Sequence, residues 1–283
     1  MKRLALIAAW VLATSSAQAG GIVAVLSGDA APYREALEGL KAAVGPVDSA
    51  VLPALPGVAG ASVIVTFGGE AALKKYPSGA ALVAALLPDP KLKPAHEGAL
   101  TRVALLPDPA VLLGKIKALN PGVNSLAVFD VGGAYTDYLN NMKAAGAGIG
   151  IAVNVKRIDS IADLAGKLPG LKGTVQALWL PPDPLVMNQS TFSLLSAFCS
   201  AAKIALVAPV AALARAGAFA GISPSFSDVG KAAGKAALAY NGGSNPGELV
   251  YPSHVETVLN TNVAAVIGVN AASAKAKADS VIP

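Results

Sequence analysis

The chain of 283 residues is long enough for two domains of ordinary size, and its composition, 54% apolar and 14% charged, allows large buried cores. The formal net charge is +5 without a block of five like charges, which argues against a nucleic-acid surface of clustered Lys and Arg. Past residue 19, no apolar stretch reaches the roughly 18–20 residues that a membrane-spanning helix needs.

Residues 1–19 have the pattern of a secretory signal peptide. Lys2 and Arg3 form a basic start, Leu4–Ala13 an apolar core and Ala17–Ala19 a cleavage site of the A-x-A type. The alternative is an uncleaved membrane anchor, for which the apolar core is short. We therefore expect export to a periplasm, with a mature chain that starts near Gly20.

The first half of the mature chain alternates buried strands with helices. Strands are predicted at Ile22–Leu26, Val63–Phe67 and Ala81–Leu87, and helices over residues 33–44 and Ala71–Tyr76. Each strand is almost wholly apolar, which is typical of a parallel sheet covered on both faces.

The pattern restarts after residues 120–122, and the two halves resemble each other. Tyr33 matches Tyr135 at a spacing of 102 residues, and Leu37 matches Leu139. This indicates two similar α/β halves; chance similarity between two Ala-rich helices is the alternative. Predicted strands are Leu126–Asp130, Ile151–Val155, Val175–Leu180, Ile204–Ala208 and Val255–Leu259, with helices over 136–145, 161–167 and 185–202. The polar end, residues 274–283, is expected to be loosely held.

One stretch, Gly217–Gly243, joins a short apolar strand at Ala218–Ile222 to a helix that Ser227 is expected to cap. Asp228 lies in the first turn, where its charge complements the helix dipole. This segment resembles the solute-binding proteins of ABC importers, the periplasmic-binding-protein-like family that includes tryptophan- and tyrosine-type binders. The residues that match the pattern of that family are Asp228, Gly230, Gly234, Lys235, Pro246 and Gly247.

The resemblance implies an α/β fold of two Rossmann-like lobes, each a parallel sheet flanked by helices, joined by a multi-strand hinge: the type I periplasmic-binding-protein fold. It implies an N-terminal lobe of residues 20–119 plus 219–248 and a C-terminal lobe of residues 125–212 plus 255–283.

Ligands of open α/β sheets bind beyond the carboxyl ends of the strands. On this rule the expected ligand-binding residues are Ser27, Gly28, Tyr33, Phe67, Gly68, Tyr135, Asp183 and Phe226. Backbone N–H groups at the glycines can receive a carboxylate, or the glycines can serve the turns alone. The tyrosine rings can reach the ligand or pack in the core, and the phenylalanines can stack on an apolar ligand. The aspartate can bind an ammonium or hydroxyl group, or cap the next helix.

The loops after the strands contain few polar side chains. They read Phe67–Gly69, Leu87–Pro88 and Pro209–Ala211, which leaves few donors for a zwitterion. We therefore expect a ligand less polar than an amino acid, either aromatic or lipid-like with one hydroxyl.

The sequence carries no motif for catalysis. It lacks a G-x-S-x-G elbow, an H-E-x-x-H pair and a P-loop, and its two histidines, His96 and His254, are far apart. We expect no catalytic residue, metal or cofactor. The expected partners are a small-molecule ligand and an ABC permease of the inner membrane, bound by a monomer. The alternatives are a ligand-sensing module of a membrane receptor and an exported α/β enzyme.

Overall fold

The fold consists of two separate β-sheets flanked by helices, seen in a computed structural model that describes residues 21–55 and 57–283. The predicted signal peptide lies outside these residues. The strands are β1 (Ile22–Leu26), β2 (Asp48–Val51), β3 (Val63–Phe67), β4 (Ala81–Ala85), β5 (Leu100–Val103), β6 (Ser125–Val131), β7 (Ala152–Ile158), β8 (Ala177–Trp179), β9 (Ala205–Ala208), β10 (Ala220–Ser223), β11 (Leu249–Val250), β12 (Glu256–Asn260) and β13 (Ser280–Ile282). The helices are α1 (Ala31–Val44), α2 (Gly69–Ala72), α3 (Pro109–Leu119), α4 (Thr136–Gly148), α5 (Ile161–Lys167), α6 (Pro184–Met187), α7 (Gln189–Ala202), α8 (Ala212–Arg215), α9 (Phe226–Asn241), α10 (Thr261–Val266) and α11 (Ala271–Lys275).

The two sheets confirm the predicted α/β class. The first has the order β11-β5-β4-β3-β1-β2, and its strands are parallel. The second has the order β13-β12-β10-β9-β8-β6-β7 and is parallel except where β12 runs antiparallel to β10. Every residue of β3 and β4 is buried, as apolar runs in a sheet covered on both faces should be.

Helix α3 packs in the second lobe, whereas the family resemblance predicts that all of residues 20–119 belong to the first lobe. Its side chains Leu112, Leu113 and Ile116 recur at helical spacing and share a core with Trp179 of β8. The first connection between the lobes is therefore residues 104–108, before α3 and not after it.

Strand β10 also differs from the sequence-based division, which placed residues 219–248 in the first lobe. It pairs with β9 and β12 and so lies in the second sheet. The second connection is residues 224–225, and α9 then packs on the first sheet and α1. Ser225, not Ser227, caps α9: its Oγ accepts from the backbone N–H of Asp228 at 3.1 Å. The third connection, residues 251–255, leads from β11 to β12.

The end of the chain is ordered, so the expectation of a loose tail was wrong. Strand β13 pairs with β12 in parallel. The Asp279 carboxylate accepts from the Thr257 backbone N–H at 2.7 Å and from Lys115 Nζ at 3.4 Å. These bonds fix the polar tail together with Ala274, which is fully buried in the core of the second lobe. Within the described residues, no helix combines the length and the apolar character that crossing a bilayer requires.

Candidate ligand-binding cleft

A cleft of about 1060 Å³ lies between the lobes. The first lobe contributes Leu87 and Pro88, which follow β4. The second contributes the start of α4 and Pro209, which follows β9. Residues of all three connections complete the lining, so the cleft lies where the connections join the two lobes. This is the location that the rule for carboxyl ends of parallel strands predicts.

Tyr135, one of the predicted site residues, lines the cleft immediately before α4. Its hydroxyl donates to the Pro182 carbonyl at 3.1 Å. Burial, reinforced by the negative charges of Asp183 and Asp89, raises the pKa of Tyr135 to about 12. The phenol therefore stays protonated at neutral pH, and its ring presents an uncharged surface to the cleft.

Phe226, the second predicted residue in the lining, is the first residue of α9. Its side chain is 40% exposed, and Val210 and Leu249 on the same cleft are 37% and 42% exposed. Val210 belongs to the second lobe and Leu249 to the first. Large apolar side chains exposed together in a concave surface favour an apolar occupant, because burying them releases water.

Two further tyrosines line the cleft beside the connections. The Tyr138 hydroxyl donates to the Pro107 carbonyl at 2.8 Å, and its ring lies 5.6 Å from that of Trp179, centroid to centroid. Burial, together with the charge of Asp108, raises the pKa of Tyr251. Sequence reasoning missed both; the only signal for Tyr251 is its place in the interval, residues 249–254, that separates the predicted lobe segments 219–248 and 255–283.

The other predicted site residues are not in the cleft lining. Ser27, Tyr33 and Gly68 contact one another at the ends of β1 and β3: a Cβ at Gly68 would lie 2.7 Å from the Ser27 Cβ and 2.9 Å from the Tyr33 hydroxyl. Gly28 lies under the Tyr33 ring, with 3.8 Å between that ring and a Cβ built on the glycine. The Ser27 Oγ accepts from the backbone N–H of Ala71 at 2.9 Å.

Phe67 and Asp183 have structural partners. Phe67 is fully buried in the core of the first lobe. Asp183 caps α6, where its carboxylate accepts from the Leu185 N–H at 2.8 Å. A ligand role for these residues stays a prediction.

Charged side chains of both signs lie around the cleft. They are Lys91, Lys93, Arg102, Glu35, Asp137, Glu248 and Glu256. Arg102 donates to the Pro90 carbonyl at 2.9 Å. In the part of the chain that the structure describes, His, Cys, Asp and Glu form no group of three suited to a metal ion.

Comparisons with known proteins give structural neighbours but no sequence match. No protein-family model and no curated protein matches the chain. An L-Trp complex of an ABC domain from Streptococcus pneumonia superposes with a TM-score of 0.56 at 18% identity, covering 92% of this chain and all of that one. An open, ligand-free substrate-binding protein with adhesive properties from Clostridium difficile superposes with a TM-score of 0.61 at 16% identity. The match covers 88% of this chain and 95% of that one.

A conserved domain protein from Vibrio cholerae gives a TM-score of 0.58 at 19% identity, covering 93% of this chain and all of that one. The chain has the type I periplasmic-binding-protein fold. At these identities the likeness establishes the fold alone, so the function of the cleft must be argued from its own residues.

Proposed function

We propose that the protein is a periplasmic solute-binding protein of an ABC-type importer. It captures a small organic ligand between its lobes by hinge closure and makes or breaks no bond. The observation that carries the proposal is the cleft of about 1060 Å³, which both lobes and all three connections line. Such a volume suits a small molecule that the two lobes can enclose.

The ligand is aromatic or largely apolar. Phe226, Val210 and Leu249 expose apolar surface in the cleft, and the tyrosine hydroxyls of Tyr135 and Tyr138 already donate to backbone carbonyls. A zwitterion needs donors and acceptors placed close together to replace its hydration, which the apolar surface of Phe226, Val210 and Leu249 does not offer. An aromatic ring instead gains from stacking on Phe226 and from leaving water.

The three connections between the lobes are short, which supports hinge closure. The second connection is only residues 224–225, and the first and third are residues 104–108 and 251–255. Short segments between two rigid lobes concentrate the backbone rotation that closure requires. The proposed partner is a permease of the inner membrane, and the proposed state is an exported monomer.

Ligand capture is tested on the mature protein with a panel of benzoate, phenylacetate, a medium-chain fatty acid, L-tryptophan and glucose. Isothermal calorimetry should show binding of an aromatic or aliphatic acid and weaker binding of L-tryptophan and glucose. Phe226→Ala should weaken that binding about tenfold, because roughly 1.4 kcal/mol of apolar contact is lost.

The matched control is Leu194→Ala, which removes an apolar side chain of similar exposure, 41%, on α7 outside the cleft lining. It should bind like the unaltered protein. Preference for L-tryptophan or glucose over every apolar compound would overturn the ligand class. Equal affinity in both variants would show that the ligand does not occupy this cleft.

A further inference from the structure

A second cavity, of about 420 Å³, opens beside α9 and shares only Ser225 with the lining of the cleft. Its lining consists of Ser225, Asp228, Lys231, Lys235, Ser253 and His254. Asp228, Lys231 and Lys235 are spaced by three and four residues, so they share one face of α9. Ser253 and His254 belong to the third connection and cover that face.

The one carboxylate in this cavity is already saturated. Asp228 Oδ2 accepts from Ser225 Oγ at 2.6 Å and lies 2.9 Å from His254 Nδ1, and Oδ1 accepts from Lys231 Nζ at 3.2 Å. The Asp228 side chain is 7% exposed, whereas that of Lys231 is 49% exposed and that of His254 63%. The Asp228 carboxylate is thus buried behind the groups that bond to it, whereas the side chains of Lys231 and His254 remain accessible.

The donors that remain are aligned along the cavity. Lys235 Nζ donates to Ser253 Oγ over a long 3.3 Å, which leaves two ammonium protons and the serine proton for another acceptor. Two lysines against one carboxylate leave one net positive charge in the lining. Because Asp228 pairs with Lys231, Lys235 has no anionic partner among the lining residues.

We propose that this cavity binds a small tetrahedral oxyanion such as inorganic phosphate. Lys235, Lys231 and the Ser253 hydroxyl would donate to its oxygens, as charge-assisted hydrogen bonds do in phosphate sites. Because the lysines belong to the first lobe and Ser253 to the third connection, a bound anion ties that connection to α9.

The test is a calorimetric titration of the mature, cleft-empty protein with inorganic phosphate at low ionic strength and a single neutral pH. Binding should be saturable. The double variant Lys231→Ala/Lys235→Ala should lose at least about tenfold in affinity, since two charge-assisted hydrogen bonds disappear. Ser253→Ala should weaken binding less.

Lys143→Ala, on the exposed surface of α4, removes one charge away from both cavities and should bind phosphate like the unaltered protein. Absence of saturable binding, or equal affinity in the double variant, would overturn the proposal. Binding to phosphatidylglycerol vesicles without binding to inorganic phosphate would also overturn it in favour of a lipid headgroup. Because no cleft ligand is used, failure here leaves the proposed solute-binding function unaffected.

Discussion

Gly230 on α9 lies directly against the Ala36 carbonyl of α1, and a Cβ at position 230 would overlap that oxygen. Gly39 on α1 meets the Ser227 carbonyl in the same way. The two helices therefore touch backbone to backbone, which only residues without a side chain permit. This contact seats α9 on the first lobe immediately after the second connection, and so sets the position of Phe226 in the cleft.

The close approach predicts that Gly230→Ala destabilises the protein. The new methyl group meets backbone, which cannot rotate away, so α9 must shift off α1 at a cost of about 3 kcal/mol. The midpoint of urea unfolding, followed by circular dichroism, measures this loss.

The control is Gly114→Ala on α3, where an added Cβ has no atom within 4 Å. It should stabilise the protein by roughly 0.5–1 kcal/mol through helix propensity. If Gly230→Ala shifted the midpoint as favourably as the control does, α1 and α9 would not be packed as closely as described.

The sequence predicted the buried strands well and the half-buried ones poorly. The run Val63–Phe67 is apolar throughout, so β3 could be identified from composition alone. Strand β5, with the sequence Leu-Thr-Arg-Val, alternates and is too short for a periodic signal. Strand β13 is held by the polar bonds of Asp279, which no apolar pattern reveals. The predicted helix over 185–202 breaks because Asn188 caps α7 with its side chain.

Of the candidate site, Tyr135 and Phe226 could be placed in the cleft from their positions next to strand ends. Ser27 and Gly68 obey the same rule, yet lie outside the lining. The rule that ligands bind beyond the carboxyl ends of the strands predicts which edge of each sheet faces a ligand. Which residues of that edge line the cleft depends on how the two lobes are tilted toward each other. That tilt is set by the connections, and hence by residues such as Tyr251 that belong to no strand or helix.

The lowered pKa of the Asp228 carboxyl predicts that the folded protein loses stability in acid. Burial by itself raises the pKa of this carboxyl, but hydrogen bonds from Ser225, His254 and Lys231 outweigh burial and lower the pKa from 3.8 to about 2. Its ionised form therefore stabilises the fold above pH 4, and the contribution, roughly 2 kcal/mol, is lost as the pH falls from about 4 to about 2.

Urea unfolding at several pH values across that range should show a steeper decline for the unaltered protein than for Asp228→Asn, which cannot ionise. Asp48→Asn, an exposed substitution on β2, should retain the steep decline. Parallel curves for Asp228→Asn and the unaltered protein would mean that this carboxylate is not held as described.

Asp279→Ala should release the end of the chain. The substitution removes the acceptor of the Thr257 N–H and of Lys115, so residues 280–282 lose their anchor beside β12. Amide hydrogen exchange in residues 280–282 should speed up by about tenfold or more, because a charge-assisted bond contributes roughly 1.5–3 kcal/mol. Exchange in β3 of the other lobe serves as the internal control and should not change. Equal protection of the tail in both proteins would contradict this role of Asp279.

Trp179 should report occupancy of the cleft. It is fully buried on β8, its ring lies 5.6 Å from that of Tyr138, and Tyr138 lines the cleft. Trp10 falls within the predicted signal peptide, so a protein prepared without residues 1–19 has Trp179 as its only tryptophan. A non-fluorescent ligand that displaces the Tyr138 ring changes the surroundings of the indole.

Titration with whichever acid binds by calorimetry should therefore give a saturable change in tryptophan emission with the same midpoint. Trp179→Phe should abolish the signal and retain the heat of binding; heat without any change in emission in the unaltered protein would place the ligand away from Tyr138.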